Sequence, residues 1–215
     1  MLKVQRFVCN MFAENTYLVW DDTRECVIID CGAFYPEERT AIENFIHREE
    51  LKPVHLLCTH GHLDHILGNG FINKTYGLSP EVHAGDEYLM KDVAEQARSM
   101  VGMDYSEYVP RVGKYLHSTD KISFGNHTLE LIHTPGHTPG GIVICCKEEK
   151  IAFTGDTLFN MSVGRTDFPG GSWEQLMDSL KRLARELPPE TTLLSGHGNQ
   201  TTMDYELQWN LYMKA

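Results

Sequence analysis

The chain has 215 residues, 41% of them hydrophobic, enough for one compact domain over 1–215. Its formal net charge of −11, from 19 Lys and Arg against 30 Asp and Glu, argues against a nucleic-acid partner, whose phosphates call for clustered cations. No run approaches the ~20 apolar residues of a membrane span, and the opening MLKVQRFVCNMFAENTY lacks the apolar core of a secretory signal, so a cytoplasmic setting with no membrane partner is expected.

Segments 4–9, 15–20 and 26–31 are short, β-rich and broken by polar turns, as in a meander. Pro36 opens an amphipathic helix over 37–50, with Ile42, Phe45 and Ile46 on one face. Val54 to Cys58 reads as a buried strand. Helices are predicted at 86–101, at 172–186 and at 203–213, the second with Ser172 as N-cap and Gln175 three positions on. Strands are predicted near 81–84, 121–124, 127–133, 141–146, 150–154 and 191–195. Strands first, then strand and helix in alternation, is the pattern of two βα halves. The six cysteines show no CxxC pair and are expected as buried, reduced thiols.

The chemistry is concentrated in HGHLDH, where His60, His62, Asp64 and His65 follow directly on the strand Val54 to Cys58. Imidazole nitrogen and carboxylate oxygen are the donors that zinc and similar divalent ions take. A lone histidine is usually a surface or satisfied core residue, but three further candidates stand in the same context. His137 in HTPGHTPGG, Asp156 in FTGDTLF and His197 in SGHGNQT each follow an apolar run and lie near glycine. Seven donors are too many for one tetrahedral ion, so two divalent ions are expected. His60, His62 and His137 would hold the first, and Asp64, His65 and His197 the second, with Asp156 bridging.

These motifs, in this order and spacing, resemble the metallo-β-lactamase fold superfamily. Within it, GRTDFPGG and GHGNQTT are similar to short bacterial glyoxalase II-like (hydroxyacylglutathione hydrolase-like) enzymes. The resemblance runs from the Asn15–Thr16–Tyr17 strand to Glu206 and Asn210. It implies an α+β chain folded as a four-layer αβ/βα sandwich with the metals at one edge of two facing sheets. It also implies that the ions, zinc first, with iron or manganese as substitutes, serve a hydrolase. The expected substrate is a small thioester, S-D-lactoylglutathione or a related acyl-thiol, cleaved by a metal-bridging hydroxide that Asp64 helps orient.

Full-length glyoxalase II enzymes carry a C-terminal glutathione-binding helical extension, whereas the 18 residues after His197 suffice for one helix, so the glutathione contacts are expected from elsewhere or the thiol carrier differs. Asp30 and Thr59 are expected to support the ligands, with Asp30 accepting a proton from a ligating imidazole and fixing its tautomer. Arg165 either pairs with Asp167 to hold its loop, or supports the mouth of the site and meets an anionic substrate. Tyr105 and Tyr108 are candidates for the border of the entrance, and His47, His55, His83, His117, His127 and His133 for structural or surface positions. A persulfide dioxygenase with a single iron, a lactonase of the same fold and a non-catalytic metal-binding protein are the competing readings.

Overall fold

The protein is described by a computed structural model over residues 1–214. The first half builds strands β1 (Lys3–Cys9), β2 (Glu14–Trp20) and β3 (Glu25–Ile29), helix α1 (Pro36–Arg48), strand β4 (Lys52–Leu57), helices α2 (Leu63–Ile66) and α3 (Asn69–Tyr76), strand β5 (Glu81–His83), helices α4 (Glu87–Lys91) and α5 (Val93–Val101), and strand β6 (Lys114–Leu116). The second half builds β7 (Lys121–Phe124), β8 (His127–His133), β9 (Ile142–Cys146), β10 (Ile151–Gly155), the short pair β11 (Leu158–Phe159) and β12 (Ser162–Val163), α6 (Trp173–Glu186), β13 (Thr192–Ser195), β14 (Thr201–Thr202) and α7 (Met203–Trp209).

Six strands form one sheet in the order β1-β2-β3-β4-β5-β6, and six form the other as β14-β13-β10-β9-β8-β7. Side chains alternate across each strand and so divide between two cores. Val19, Val27, Ile29 and Leu57 face Leu131, Ile144, Phe153 and Leu194 between the sheets. Their neighbours Leu18, Cys26, Ile28 and Leu56 instead meet Ile42, Phe45 and Ile46 of α1 and Ile72 of α3. On the far side, Val143, Cys145, Ala152 and Leu193 meet Leu180 and Leu183 of α6 and Met203 of α7. The result is the four-layer α+β sandwich. Burial on both faces also explains why these strands read as unbroken apolar runs.

Several boundaries differ from the sequence expectation for local reasons. β3 stops at Ile29, not at residue 31, because Asp30 adopts a left-handed backbone with φ of 50°. The helix expected over 86–101 divides at Asp92, whose φ of −111° and ψ of 36° leave the helical region. The last helix ends at Asn210, where ψ is 118°, and continues only as a 3₁₀ turn over Leu211–Lys214. β6, α2 and α3 are too short or too mixed in pattern to announce themselves. All six cysteines are buried and free.

The edge of the sandwich opposite the donor motifs is closed by His127. Its Nδ1 lies 2.9 Å from Asp21 Oδ2 in the turn after β2, and its Nε2 lies 2.9 Å from Glu149 Oε1 in the turn before β10. One imidazole therefore links the two sheets. Burial pulls its pKa down, but the Glu149 and Asp21 carboxylates outweigh burial and raise it above the ordinary value. Stability from a raised histidine pKa is fully present below the unfolded value of about 6.5 and is lost as pH rises through the folded value. His127→Asn is thus expected to cost about 2 kcal/mol near pH 5.5, on the scale of charge-assisted hydrogen bonds, and clearly less near pH 8.5. Urea unfolding at the two pH values measures this, and an equal cost at both would refute the charged clamp.

Candidate metal centre

The donor loops all leave one edge of the sandwich. Thr59 to His65 follow β4, His137 follows β8, Asp156 follows β10 and His197 follows β13. The ring nitrogens of His60, His62 and His137 form one group within 4.8 Å of one another, and atoms of Asp64, His65 and His197 form a second. In the first, His62 Nδ1 and His137 Nε2 face each other at 2.8 Å. In the second, His197 Nε2 lies 3.1 Å and His65 Nε2 lies 3.6 Å from Asp64 Oδ2. Asp156 stands between them, with Oδ1 3.3 Å from His65 Nε2 and Oδ2 3.5 Å from both His137 Nε2 and His197 Nε2.

Second partners fix which nitrogen of each ring faces inward. His137 Nδ1 donates to the Arg165 carbonyl at 2.7 Å, and His197 Nδ1 to the Phe12 carbonyl at 3.1 Å. His65 Nδ1 donates to Asp30 Oδ2 at 3.0 Å. Each bond leaves the Nε2 lone pair free to meet a cation. Asp30 also takes the Thr59 amide and hydroxyl, both at 2.7 Å. Its oxygens also fall close to His60 and His65, but these bonds occupy them, so we read Asp30 as a support for His65 and not as a donor to an ion.

His60 Nε2, His65 Nε2 and Asp156 Oδ1 are buried without a hydrogen-bond partner. Unpartnered buried polar atoms cost about 1–3 kcal/mol each, so three in one place need a common partner. Divalent cations satisfy all three, and the nitrogen-and-carboxylate set suits zinc, iron or manganese. The electrostatics divide in the same way as the geometry. Burial, reinforced by His137, pushes the His62 pKa down to about 3, and burial with the charge of His65 drives His60 well below its ordinary value. Burial acts the same way on His65, but Asp156, Asp64 and Asp30 outweigh it and raise its pKa well above the ordinary value. His60 and His62 are thus held neutral, while the carboxylates around His65 favour its cationic form.

Arg165 pairs with Asp167 through two 2.6 Å bonds and lies over the Phe168 ring at 4.1 Å. It holds its loop, and its carbonyl orients His137. Tyr105 and Tyr108 do not border the donor cavity. They line a separate small cleft with Ile66 and Asn69, and Tyr105 donates to the Leu67 carbonyl at 3.4 Å. The donor cavity, 370 Å³, is instead walled by Phe12, Met100, Phe159 and Phe168.

Three buried supports escaped the sequence reading. Asp86 accepts from Gly61 N at 2.9 Å, Thr138 Oγ1 at 2.8 Å and Gly140 N at 2.6 Å, and so ties the His60–His62 loop to the His137 loop. It sits in HAGD, after a strand and beside glycine as Asp156 does, and that shared context is the signal that could have found it. Gln96 accepts from Leu63 N and donates to the Gly61 carbonyl, both at 3.0 Å. Glu14 is fully buried 3.9 Å from His65 Nδ1, and burial raises its carboxyl well above the ordinary range.

Backbone packs against the donors without room for a side chain. A Cβ on Gly196 would collide with Asp156 Oδ1 and come within 2.5 Å of His65 Cε1. Gly196→Ala is therefore expected to fold, because its strand partners are untouched, yet to retain at least about tenfold less metal after dialysis, in the range seen when ligand supports are disturbed. Elemental analysis beside circular dichroism reads both, and full metal content in a folded variant would refute the crowding.

A family model for the metallo-β-lactamase superfamily matches residues 10–197. A Haemophilus influenzae protein named hydroxyacylglutathione hydrolase GloC is 32% identical over 208 residues, spanning 95% of this chain and 94% of that protein. The crystal structure of the B3 metallo-β-lactamase BLEG-1 is similar with a TM-score of 0.90 at 28% identity, over 99% of this chain and 100% of that one. The crystal structure of TTHA1623 in a di-iron-bound form is similar with a TM-score of 0.85 at 32% identity, over 97% and 99%. With its two donor groups at the open edge of an α+β sandwich, the chain belongs to the metallo-β-lactamase superfamily.

Proposed function

We propose that the protein is a cytoplasmic metal-dependent hydrolase of acyl thioesters, acting on S-D-lactoylglutathione or a related acyl-thiol. The observation that carries this reading is the pair of adjacent donor groups facing Asp156, supported by the likeness to a protein named hydroxyacylglutathione hydrolase. Two divalent ions held by His60, His62 and His137, by Asp64, His65 and His197, and by Asp156 between them would supply an activated water at neutral pH and an electrophile for the acyl oxygen.

The chain's own groups do the rest. Asp64 Oδ2 faces His197 and His65, and its carboxylate helps orient the attacking water. Phe12, Phe159 and Phe168 wall the cavity and limit bulk water around the acyl carbon. Water oxygen bonds to the acyl carbon, the carbon–sulfur bond breaks, and a carboxylic acid and a thiol leave. A thiolate, with a free-thiol pKa of about 8.5, departs without strong acid assistance.

Purified protein of known metal content, assayed by loss of thioester absorbance, is expected to turn over S-D-lactoylglutathione with kcat/KM of about 10⁴ M⁻¹s⁻¹ or more. Rapid opening of a β-lactam with no thioester cleavage would overturn the substrate class. A single bound iron with oxygen uptake on glutathione persulfide would replace the hydrolase by a dioxygenase. Asp156→Ala is expected to lose about one of the two ions and at least about 100-fold in turnover, as is usual for a residue central to such a site. A variant that kept its metal and its rate would remove Asp156 from the bridging position.

A further inference from the structure

A second cavity, of 360 Å³, opens beside the donor cavity and shares His62, Met100 and Phe168 with it. That volume lies within the range of about 300–1,000 Å³ of small-molecule sites. Leu89 and Met100 form one wall, and Phe168 and Pro169 form the other. The walls are joined, because Tyr88 Oη donates to the Pro169 carbonyl at 3.0 Å. At the junction the His62 ring meets Phe168 edge-on at 5.4 Å. The trough therefore begins at a metal-donor ring and runs away from it along apolar surface.

We propose that this trough is the acyl-chain subsite, and that the preferred substrates carry an apolar, uncharged acyl group longer than lactoyl. The proposal rests on the thioesterase reading and specifies its substrate class. Two observations choose the acyl half over the thiol carrier. Among the described residues Asp92 and Glu95 line the trough and no lysine or arginine does. Arg98 pairs with Glu95 at 2.8 Å, so Asp92 carries the local negative charge and a carrier with free carboxylates, as glutathione has, is disfavoured there. The donor cavity on the other side of His62 is lined by Arg165, which is paired with Asp167 and is the one lysine or arginine among the described residues at either opening. Lactoyl, three carbons with a hydroxyl, leaves an apolar trough of this size unfilled.

The test compares S-acetyl-, S-butanoyl- and S-hexanoylglutathione on metal-loaded protein, together with calorimetric binding of acetate and hexanoate. Burial of each methylene is worth up to about fourfold, so kcat/KM is expected to rise at least tenfold from acetyl to hexanoyl. Hexanoate is expected to bind at least tenfold tighter than acetate. Ser99→Trp fills the trough from α5 and is expected to bring both ratios to within about twofold of unity. Asp92→Lys, an exposed charge reversal, is expected to raise the kcat/KM ratio of S-glutaryl- to S-pentanoylglutathione several-fold.

Thioester turnover that is flat with acyl length and unmoved by either variant overturns the subsite while sparing the thioesterase. Hexanoate binding lost in Ser99→Trp without any thioester turnover overturns the thioesterase while sparing an apolar subsite. An equal chain-length gain when the chain is moved to the thiol side, in acetyl thioesters of alkanethiols, overturns the acyl assignment.

Discussion

The arrangement is governed by lone pairs that have nowhere else to go. Imidazole nitrogens and carboxylate oxygens from four loops face one another at 2.8 to 3.6 Å in a buried edge, and three of the atoms lack a hydrogen-bond partner. Such crowding is unstable unless positive charge is shared among the donors. The surroundings hold it in place. Carbonyls of Arg165 and Phe12 and the Asp30 carboxylate take the outer ring protons of His137, His197 and His65. Asp30 does so from a left-handed backbone position, a strain of the kind that accumulates at functional sites.

The supports also join the donor site to the neighbouring trough. Asp86 and Gln96 flank and enter α4 and α5, the helices that carry Leu89, Met100 and the trough carboxylates. The same two side chains hold Gly61 and Leu63 between the donors. A change in how these helices sit thus alters both the trough and the position of His62.

Most of the donor set was legible in the sequence, because each donor lies just past an apolar strand and near glycine, and strands of one sandwich present those ends together. HGHLDH and TGD carry that logic in a few residues. The layer order came with the family resemblance, and the strands-first, then strand-and-helix alternation of the sequence agreed with it. What was hidden depends on side-chain reach across the fold. Asp86 and Gln96 are ordinary helix-start and mid-helix residues until their bonds to Gly61 are seen. Glu14 looks like a turn residue before a strand, and nothing local announces full burial beside His65. Tyr105 and Tyr108 were only candidates for the entrance, since a polar segment with aromatics does not say where it packs, and Tyr105 instead anchors Leu67. Asp92 divides a helix that a composition window shows as continuous.

His60 and His137 reside in different sheets, and they meet only when the apolar face of each sheet has found the other. β10, which ends in front of Asp156, pairs in parallel with β13, which ends in front of His197, so even the second group draws on strands brought together by the long crossover through α6. No contiguous fragment therefore contains a preformed ion site. Long-range pairings of this kind form late in folding, after loop closure has been paid in entropy. Cations held by all seven donors would therefore bind the finished chain far more tightly than a partly folded one, in which only HGHLDH offers neighbouring donors. Most of that binding energy would favour the folded state, so that metal supply would bear on the stability of the fold as well as on its chemistry.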